Sequence, residues 1–139
     1  MEAQVSNTPA MGFMAAYTVG TRNDDKLTTG DSYPLRTWRE KDVQLAVFAL
    51  DDYIVCLRQI TSMDHGKRNG SACLDWLCRV ADRHGAIIVG WIEPNVDAHL
   101  DEGQLAAWYA RHGFEVGGEK RISWGGETLR YNAAREPSI

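Results

Sequence analysis

Cysteine is scarce in this sequence of 139 residues: there are three, Cys56, Cys73 and Cys78, all in apolar runs. An odd, small number excludes a disulfide framework and reads as buried, reduced thiols, with a cytoplasmic location as the default. Cys73 and Cys78 stand five apart on a helical stretch, so they point in different directions and suit neither a disulfide nor a shared metal. No metal is expected. Long apolar runs are also lacking, and nothing approaches the length of a membrane-spanning helix. Residues 11–19 are too short, and lack the basic flank, for a signal peptide. Nor is there an excess of positive charge. The net charge is -4, which gives no global attraction to nucleic-acid phosphates and no basic patch for acidic lipids. Neither a nucleic acid nor a membrane is an expected partner. Repeats, low-complexity tracts and linkers are absent, so a single domain is expected over residues 1–139.

The composition that remains is ordinary for a globular protein, with 44% hydrophobic and 24% charged residues. A domain of this size buries about 70% of the surface of its unfolded chain and needs no covalent staple. Residues 1–10 and 133–139 read as loose tails. Residues 12–19 suit either a strand or a short helix. Residues 21–32, rich in Thr, Gly, Asp and Asn, read as a loop, and residues 34–38 as extended. Two apolar runs, 43–50 and 53–61, flank the turn signal of Asp51 and Asp52 and predict an antiparallel hairpin. Residues 71–84 have helical spacing, with Leu74, Leu77, Cys78 and Ala81 on one stripe and Gly85 as the stop. Residues 86–92 suit a strand covered on both faces. A second helix over 101–112, a short strand at 114–116 and a last strand or hairpin over 121–132 follow. The order from residue 42 is β-β-loop-α-β-α-β-β, which predicts an α/β fold.

The segment between the hairpin and the first of these helices carries the chemistry. A glycine-bearing loop that enters a helix presents unpaired backbone N–H groups, and the helix dipole adds partial positive charge. Gly66 and Gly70 permit close approach of an anion, and Lys67 and Arg68 add charge. An ordinary solvated turn has the same composition. The spacing fits neither a P-loop, which needs its lysine after a second glycine, nor a G-x-G-x-x-G dinucleotide turn.

Residues 60–72 (ITSMDHGKRNGSA) resemble the coenzyme A-binding motif of the GNAT acetyltransferases, Arg/Gln-x-x-Gly-x-Gly/Ala running from a strand into a helix. Its first position falls on His65, its first glycine on Arg68 and its second on Gly70. Residues 105–114 (LAAWYARHGF) are similar to the segment in which that family carries a tyrosine on a helix before Gly-Phe. The resemblance covers residues 42–116. It implies a GNAT-like fold with a central mixed, mostly antiparallel splayed sheet flanked by helices, acetyl-coenzyme A as co-substrate and transfer of the acetyl group to a primary amine of a small molecule or protein. By this resemblance the backbone of Ile60, Thr61 and Ser62 holds the pantetheine arm. His65, Gly66, Lys67, Arg68, Asn69, Gly70 and Ser71 hold the pyrophosphate. Tyr109 touches the cofactor and acts as the general acid toward its thiolate.

For a general base the candidates are Asp64, Glu93 and His65, because residues 53–61 contain no carboxylate and Asp51 and Asp52 sit at the hairpin turn. A covalent route through Cys56 is a further possibility in principle. The family's opening strand and two helices, which build much of the acceptor site, have few counterparts in the forty residues before Val43. Residues 12–19 are the candidate for that strand, and a homodimer could complete the site. The alternative function is a GNAT-fold module that binds coenzyme A or inhibits a protein without turnover.

Overall fold

The hairpin predicted over residues 43–61 lies at the middle of the structure. β3 (Val43–Ala49) and β4 (Ile54–Ser62) pair antiparallel. Asp51 makes the turn: its Oδ1 accepts from the backbone N–H of Tyr53 at 2.8 Å and of Ile54 at 2.9 Å. Such local bonding is why aspartate favours turns. A computed structural model describes residues 8–28, 33–62, 68–91, 102–117 and 128–131. α1 (Pro9–Gly20), β1 (Thr21–Thr28) and β2 (Pro34–Trp38) precede the hairpin. After it come α2 (Asn69–His84), β5 (Ile87–Trp91), α3 (Glu102–Arg111), β6 (Glu115–Val116) and β7 (Thr128–Tyr131). The strands form one mixed sheet in the order β1-β2-β3-β4-β5-β7-β6. Its parallel pair is β4 with β5, and the other pairs are antiparallel.

From residue 42 the element order is the one the sequence predicts, and the architecture is α/β. The N-terminal third differs. Residues 12–19 are helical, and α1 also takes in Pro9 and Ala10 from the expected tail. Thr8 caps this helix by accepting from Met11 N–H at 3.2 Å, and Pro9 follows at its start. Ala10, Phe13 and Tyr17 form its buried stripe. The expected loop at 21–32 instead contains β1. Thr21, Arg22 and Asn23 pair with Trp38, Thr37 and Arg36. An edge strand is held by its backbone ladder, and polar side chains there protect the edge from further pairing. Composition alone therefore reads β1 as a loop. Among the described residues a single helix precedes the first strand, and the antiparallel β1–β2 pair shifts register between Asn23 and Thr28.

Alternation along the strands sorts the two faces. Val43, Leu45 and Val47 of β3, Val55 and Leu57 of β4, and Ile88 of β5 join one core cluster with all three helices. Ala46, Cys56 and Ile87 lie between them in sequence and so face the other way. Among the described residues no helix packs on that second face. The far end of α1 is fastened to β2. Arg36 donates from Nε to Thr21 Oγ1 at 2.6 Å and from Nη2 to the carbonyls of Thr18 and Thr21, each at 3.2 Å. Arg39 Nε donates to the Val19 carbonyl at 3.0 Å. These cations satisfy the orphan carbonyls of the helix end and complement its dipole. No helix among the described residues is long and apolar enough to cross a membrane.

α1 and α2 approach closely because α1 carries glycine where α2 carries rings. A Cβ on Gly20 would overlap the Trp76 ring, which itself stacks on Trp38 with centroids 5.8 Å apart. Gly20→Ala is expected to destabilise the protein by about 1–3 kcal/mol, the usual effect of overpacking. A urea midpoint unchanged from wild type would contradict this packing.

Candidate functional site

Two neighbouring strands part company on the helix side of the molecule. β4 and β5 pair through Ile54 with Ile87, Val55 with Ile88, and Cys56 with Val89, and no further. Beyond that point β4 keeps its other neighbour, pairing with β3 as far as Ser62. β5 turns to β7, with Gly90 opposite Leu129 and Trp91 opposite Thr128. Beyond Cys56 there is no ladder between β4 and β5 among the described residues.

A bulge accompanies the parting. Val47 pairs with Leu57 and Ala46 with Gln59, which leaves Arg58 as an extra residue in β4. A bulge bends its strand and increases its twist. It also resets the alternation: Leu57 and Ile60 both meet the helix-side core, so Arg58 and Gln59 are both left to the opposite face. The Arg58 guanidinium lies over the Trp91 ring, 5.0 Å from its centroid.

The helix that follows β4 starts at the open end of this gap. Ala72 N–H bonds to the Arg68 carbonyl at 3.0 Å, the first intrahelical bond of α2. The N–H groups of Asn69, Gly70 and Ser71 have no backbone acceptor among the described residues, and no side chain caps the helix. The first turn contains no acidic residue. An anion is the partner this arrangement favours. Arg68 sits at φ 59, ψ 21, the left-handed region, and is the non-glycine residue with positive φ among those described. The position laid on the family's first glycine thus has the conformation that glycine serves, taken here by an arginine at a cost of about 1–2 kcal/mol. Gly70 lies between Ser62 and Trp108, each 3.7 Å from where its Cβ would be.

α3 closes the helix side of the gap. Trp108 Nε1 donates to Ser71 Oγ at 2.7 Å, and His112 Nδ1 meets Asp75 Oδ1 at 2.7 Å, so α3 is fastened to the first two turns of α2. Tyr109 is 8% exposed and packs edge-on against Trp108 and Phe114, with centroids 4.9 and 5.3 Å away. Burial pushes its phenol well above the ordinary tyrosine range, so it stays protonated. The Gly113–Phe114 pair behind it turns the chain, with Gly113 at φ 93.

The structure brings Ile60, Thr61, Ser62, Arg68, Asn69, Gly70 and Ser71 to one end of the gap, with Trp108 of α3 beside Gly70 and Ser71 and with Tyr109 next to Trp108 in the core. His65, Gly66 and Lys67 lie outside the described residues, as do Asp64 and Glu93. Asp51 is committed to the hairpin turn, at the other end of β4 from Ser62. Cys56, Cys73 and Cys78 are buried and none is in a disulfide. Burial, with help from Asp82 and Asp75, pushes the Cys78 thiol up to about 12, and burial and Glu40 raise that of Cys73 further. Among the described residues no group of His, Cys, Asp or Glu could hold a metal ion. Arg58, Trp91 and Trp108 are the site residues that sequence reasoning misses. Trp108 had a signal, because it precedes Tyr109 on the helix that faces the loop. Arg58 had none, because a bulge leaves no mark in the pattern of an apolar run.

No protein-family model and no curated protein matches the chain. Among solved structures it is similar to the anti-CRISPR protein AcrVA5, with a TM-score of 0.49 and 18% identity, over 64% of this chain and 86% of that one. It is also similar to an acetyltransferase of the GNAT family from Staphylococcus aureus Mu50. There the TM-score is 0.46 and the identity 15%, over 70% of this chain and 64% of that one. Both scores fall short of 0.5, and the functional reading rests on this chain's own geometry. The described residues show a mixed, mostly antiparallel sheet with three helices, the α/β fold class expected from the sequence.

Two measurements check this description. Arg68→Gly is expected to be neutral or stabilising by up to about 1 kcal/mol, whereas Arg68→Ile is expected to lose about 1–2 kcal/mol, since a β-branched residue fits the left-handed region worst. Equal stability of the two variants in urea would contradict the assigned backbone. Stability should also fall in alkali. An unfolded thiol ionises near pH 8.5, by the usual cysteine value of about 8.5, whereas buried Cys78 holds its proton to about 12. The contribution of the neutral thiol is therefore complete below that window and is lost as pH rises through it. The slope is at most about 1.4 kcal/mol per pH unit and thiol. Cys78→Ala should make the fall between pH 9 and 10 shallower, and an unchanged slope would count against its burial.

Proposed function

We propose that this protein is an acetyl-coenzyme A-dependent N-acetyltransferase, holding its co-substrate between β4 and β5 and acetylating a primary amine. The observation that carries this reading is the one-sided pairing of β4. An open strand edge accepts an extended, amide-bearing chain as an added strand, and this edge leads to the first turn of α2, whose N–H groups have no backbone acceptor among the described residues. The residues fit the group: two amides of pantetheine match the edge, and its phosphates match Asn69, Gly70 and Ser71 together with the charge of Arg68. Acetyl-coenzyme A supplies an activated acyl group whose carbonyl carbon a neutral amine attacks, with the thiolate leaving.

The chain's own residues then have separable roles. Backbone groups of Ile60, Thr61 and Ser62 orient the arm. Trp108 holds the Ser71 hydroxyl in place at the helix start. Leu57, Tyr109 and Phe114 belong to the core on the helix side and keep water from the apex of the gap. Tyr109 presents a phenol that stays neutral at any physiological pH, which suits hydrogen-bond donation to a developing thiolate more than complete proton transfer. The amine's own proton leaves by a base outside the described residues or by solvent. Localisation follows from the reduced thiols as cytoplasmic, and a homodimer is compatible with this scheme.

A second reading, a coenzyme A-binding module without turnover, is favoured by two specific features. No carboxylate stands on β4, and the candidate acid Tyr109 is buried in the core. Calorimetry with acetyl-coenzyme A and with free coenzyme A tests the part common to both, and absence of binding to either would sink both. Thiol release with a panel of amines separates them. Tyr109→Phe is expected to lower kcat by about 100-fold, within the range for a positioned donor, and to change the affinity for acetyl-coenzyme A little. Release that never exceeds background with any amine would leave the binding module as the function.

A further inference from the structure

α1 is built without charge: none of its twelve residues, Pro9 to Gly20, is acidic or basic. Phe13 and Tyr17 point into the core, and Gly12 and Gly20 face the rings of His84 and Trp76 on α2. Met11, Ala15, Thr18 and Val19 remain, all four exposed. Their spacing of i, i+4, i+7 and i+8 makes them one outward stripe. A helix that meets water on one side ordinarily carries charge there, and a helix apolar all round is ordinarily covered. The exposure is large, at 51% for Met11 and 76% for Val19. Leu50 and Tyr53, 52% and 42% exposed, belong to the hairpin turn against the start of α1, where Ala10 N–H donates to the Asp52 carbonyl at 2.9 Å. Four of the five exposed large apolar residues among those described therefore lie on α1 or beside its N-terminus. That is a patch, not the ordinary scatter of single apolar residues over a surface.

We propose that this stripe is the contact between two copies of the chain, with their α1 helices packed antiparallel across a two-fold axis at Ala15. Charge complementarity is the first argument. Asp51 and Asp52 stand exposed at the N-terminal end of the helix. At the other end Arg39 Nε is bonded to the Val19 carbonyl at 3.0 Å and Arg36 Nη2 to that of Thr18 at 3.2 Å. Exposed Glu40, Lys41 and Asp42 follow, and with three cations against two anions this end stays net positive. Antiparallel pairing sets the acids of each copy beside the arginines of the other, twice by symmetry, and opposes the two helix dipoles. Shape is the second argument. Ala15, the smallest side chain of the stripe, is four residues from both Met11 and Val19. Two helices can approach there to about 8–10 Å, with Met11 of one copy against Val19 of the other. Size sets the strength. A helix of twelve residues is about 18 Å long, so the stripe falls short of the roughly 800 Å² per partner of a standard interface and the dimer is reversible. Other occupants fit less well. Residues 1–7, MEAQVSN, carry four polar side chains and make a poor apolar cover. A helix that lies on a membrane ordinarily carries Lys or Arg, and α1 has neither.

Sedimentation velocity of the full chain from about 1 to 200 μM tests this, with a dissociation constant expected on the order of 10 μM for so small an interface. The average mass should rise from one chain to two. A mass that stays at one chain throughout overturns the proposal. So does a monomer that floats with phosphatidylcholine vesicles, or one that dimerises only after residues 1–7 are removed, since either assigns the stripe to another occupant. Ala15→Glu sets two like charges against each other on the axis. Glutamate is a good helix former at an exposed position, so this variant is expected to remain monomeric with unchanged circular dichroism. Val19→Lys is a second disruptor at an independent position. Wild-type dimerisation by both variants overturns the proposal, because the contact then lies on another face. Cross-linking reads the orientation. Ala15→Cys should form an intermolecular disulfide on mild oxidation, as should a mixture of Met11→Cys and Val19→Cys, whereas Met11→Cys alone should not. The three native cysteines are buried and give little background. Cross-linking by Met11→Cys alone, with none gained in the mixture, marks a parallel contact and overturns the arrangement. None of these outcomes depends on whether the protein binds acetyl-coenzyme A.

Discussion

A strand inside a sheet has both edges occupied, and stripping one of them exposes N–H and C=O groups that must find another partner. In β4 the stripping is partial and local. The strand stays locked to β3 along its whole length and to β5 only as far as Cys56. The bulge at Arg58 falls at the same level, so the bend and the loss of pairing occur together. Three other features depend on it. The gap exists because β5 can follow β7 instead of β4. α2 begins beside the gap because it leaves from the end of the bent strand. Arg58 meets Trp91 because the backbones there no longer meet.

The parts of the fold that were legible in the sequence were those in which side chains set the structure. The hairpin shows itself through two apolar runs and the aspartates between them, and Asp51 does make the turn. α2 shows itself through its stripe and through Gly85, which takes the left-handed cap at φ 73. α1 was half legible. Thr8 and Pro9 are a start signal, but the apolar residues after them surround the helix so fully that spacing alone does not choose between helix and strand. β1 was illegible because backbone pairing with β2 holds it, and its polar composition is that of a loop. At the site, the glycine loop and Tyr109 stood out as motif positions. The Arg58–Trp91 contact did not, because it joins two strands whose relative register no local pattern reveals.

All three helices draw on one core, which makes the described molecule two layers deep. Trp108, Cys78 and His112 tie α3 to α2, while Tyr131 reaches α2 through Asp82 at 3.0 Å. Rigidity is thereby concentrated on the helix side of the gap, where an anionic group and its arm would have to be held. The other face is also buried at Ala46, Cys56 and Ile87, although no described helix packs there.

The antiparallel contact between α1 and α2 also limits how the chain can vary in length. Gly12 faces His84 and Gly20 faces Trp76, and the two contacts are eight residues apart on either helix. Each helix thus acts as a ruler for the other. Adding one residue between the contacts advances the helix by about 1.5 Å and rotates every later residue by about 100°, which turns a glycine away from the ring it accommodates. Insertions and deletions in relatives of this chain must therefore avoid both stretches, or occur in both helices at once.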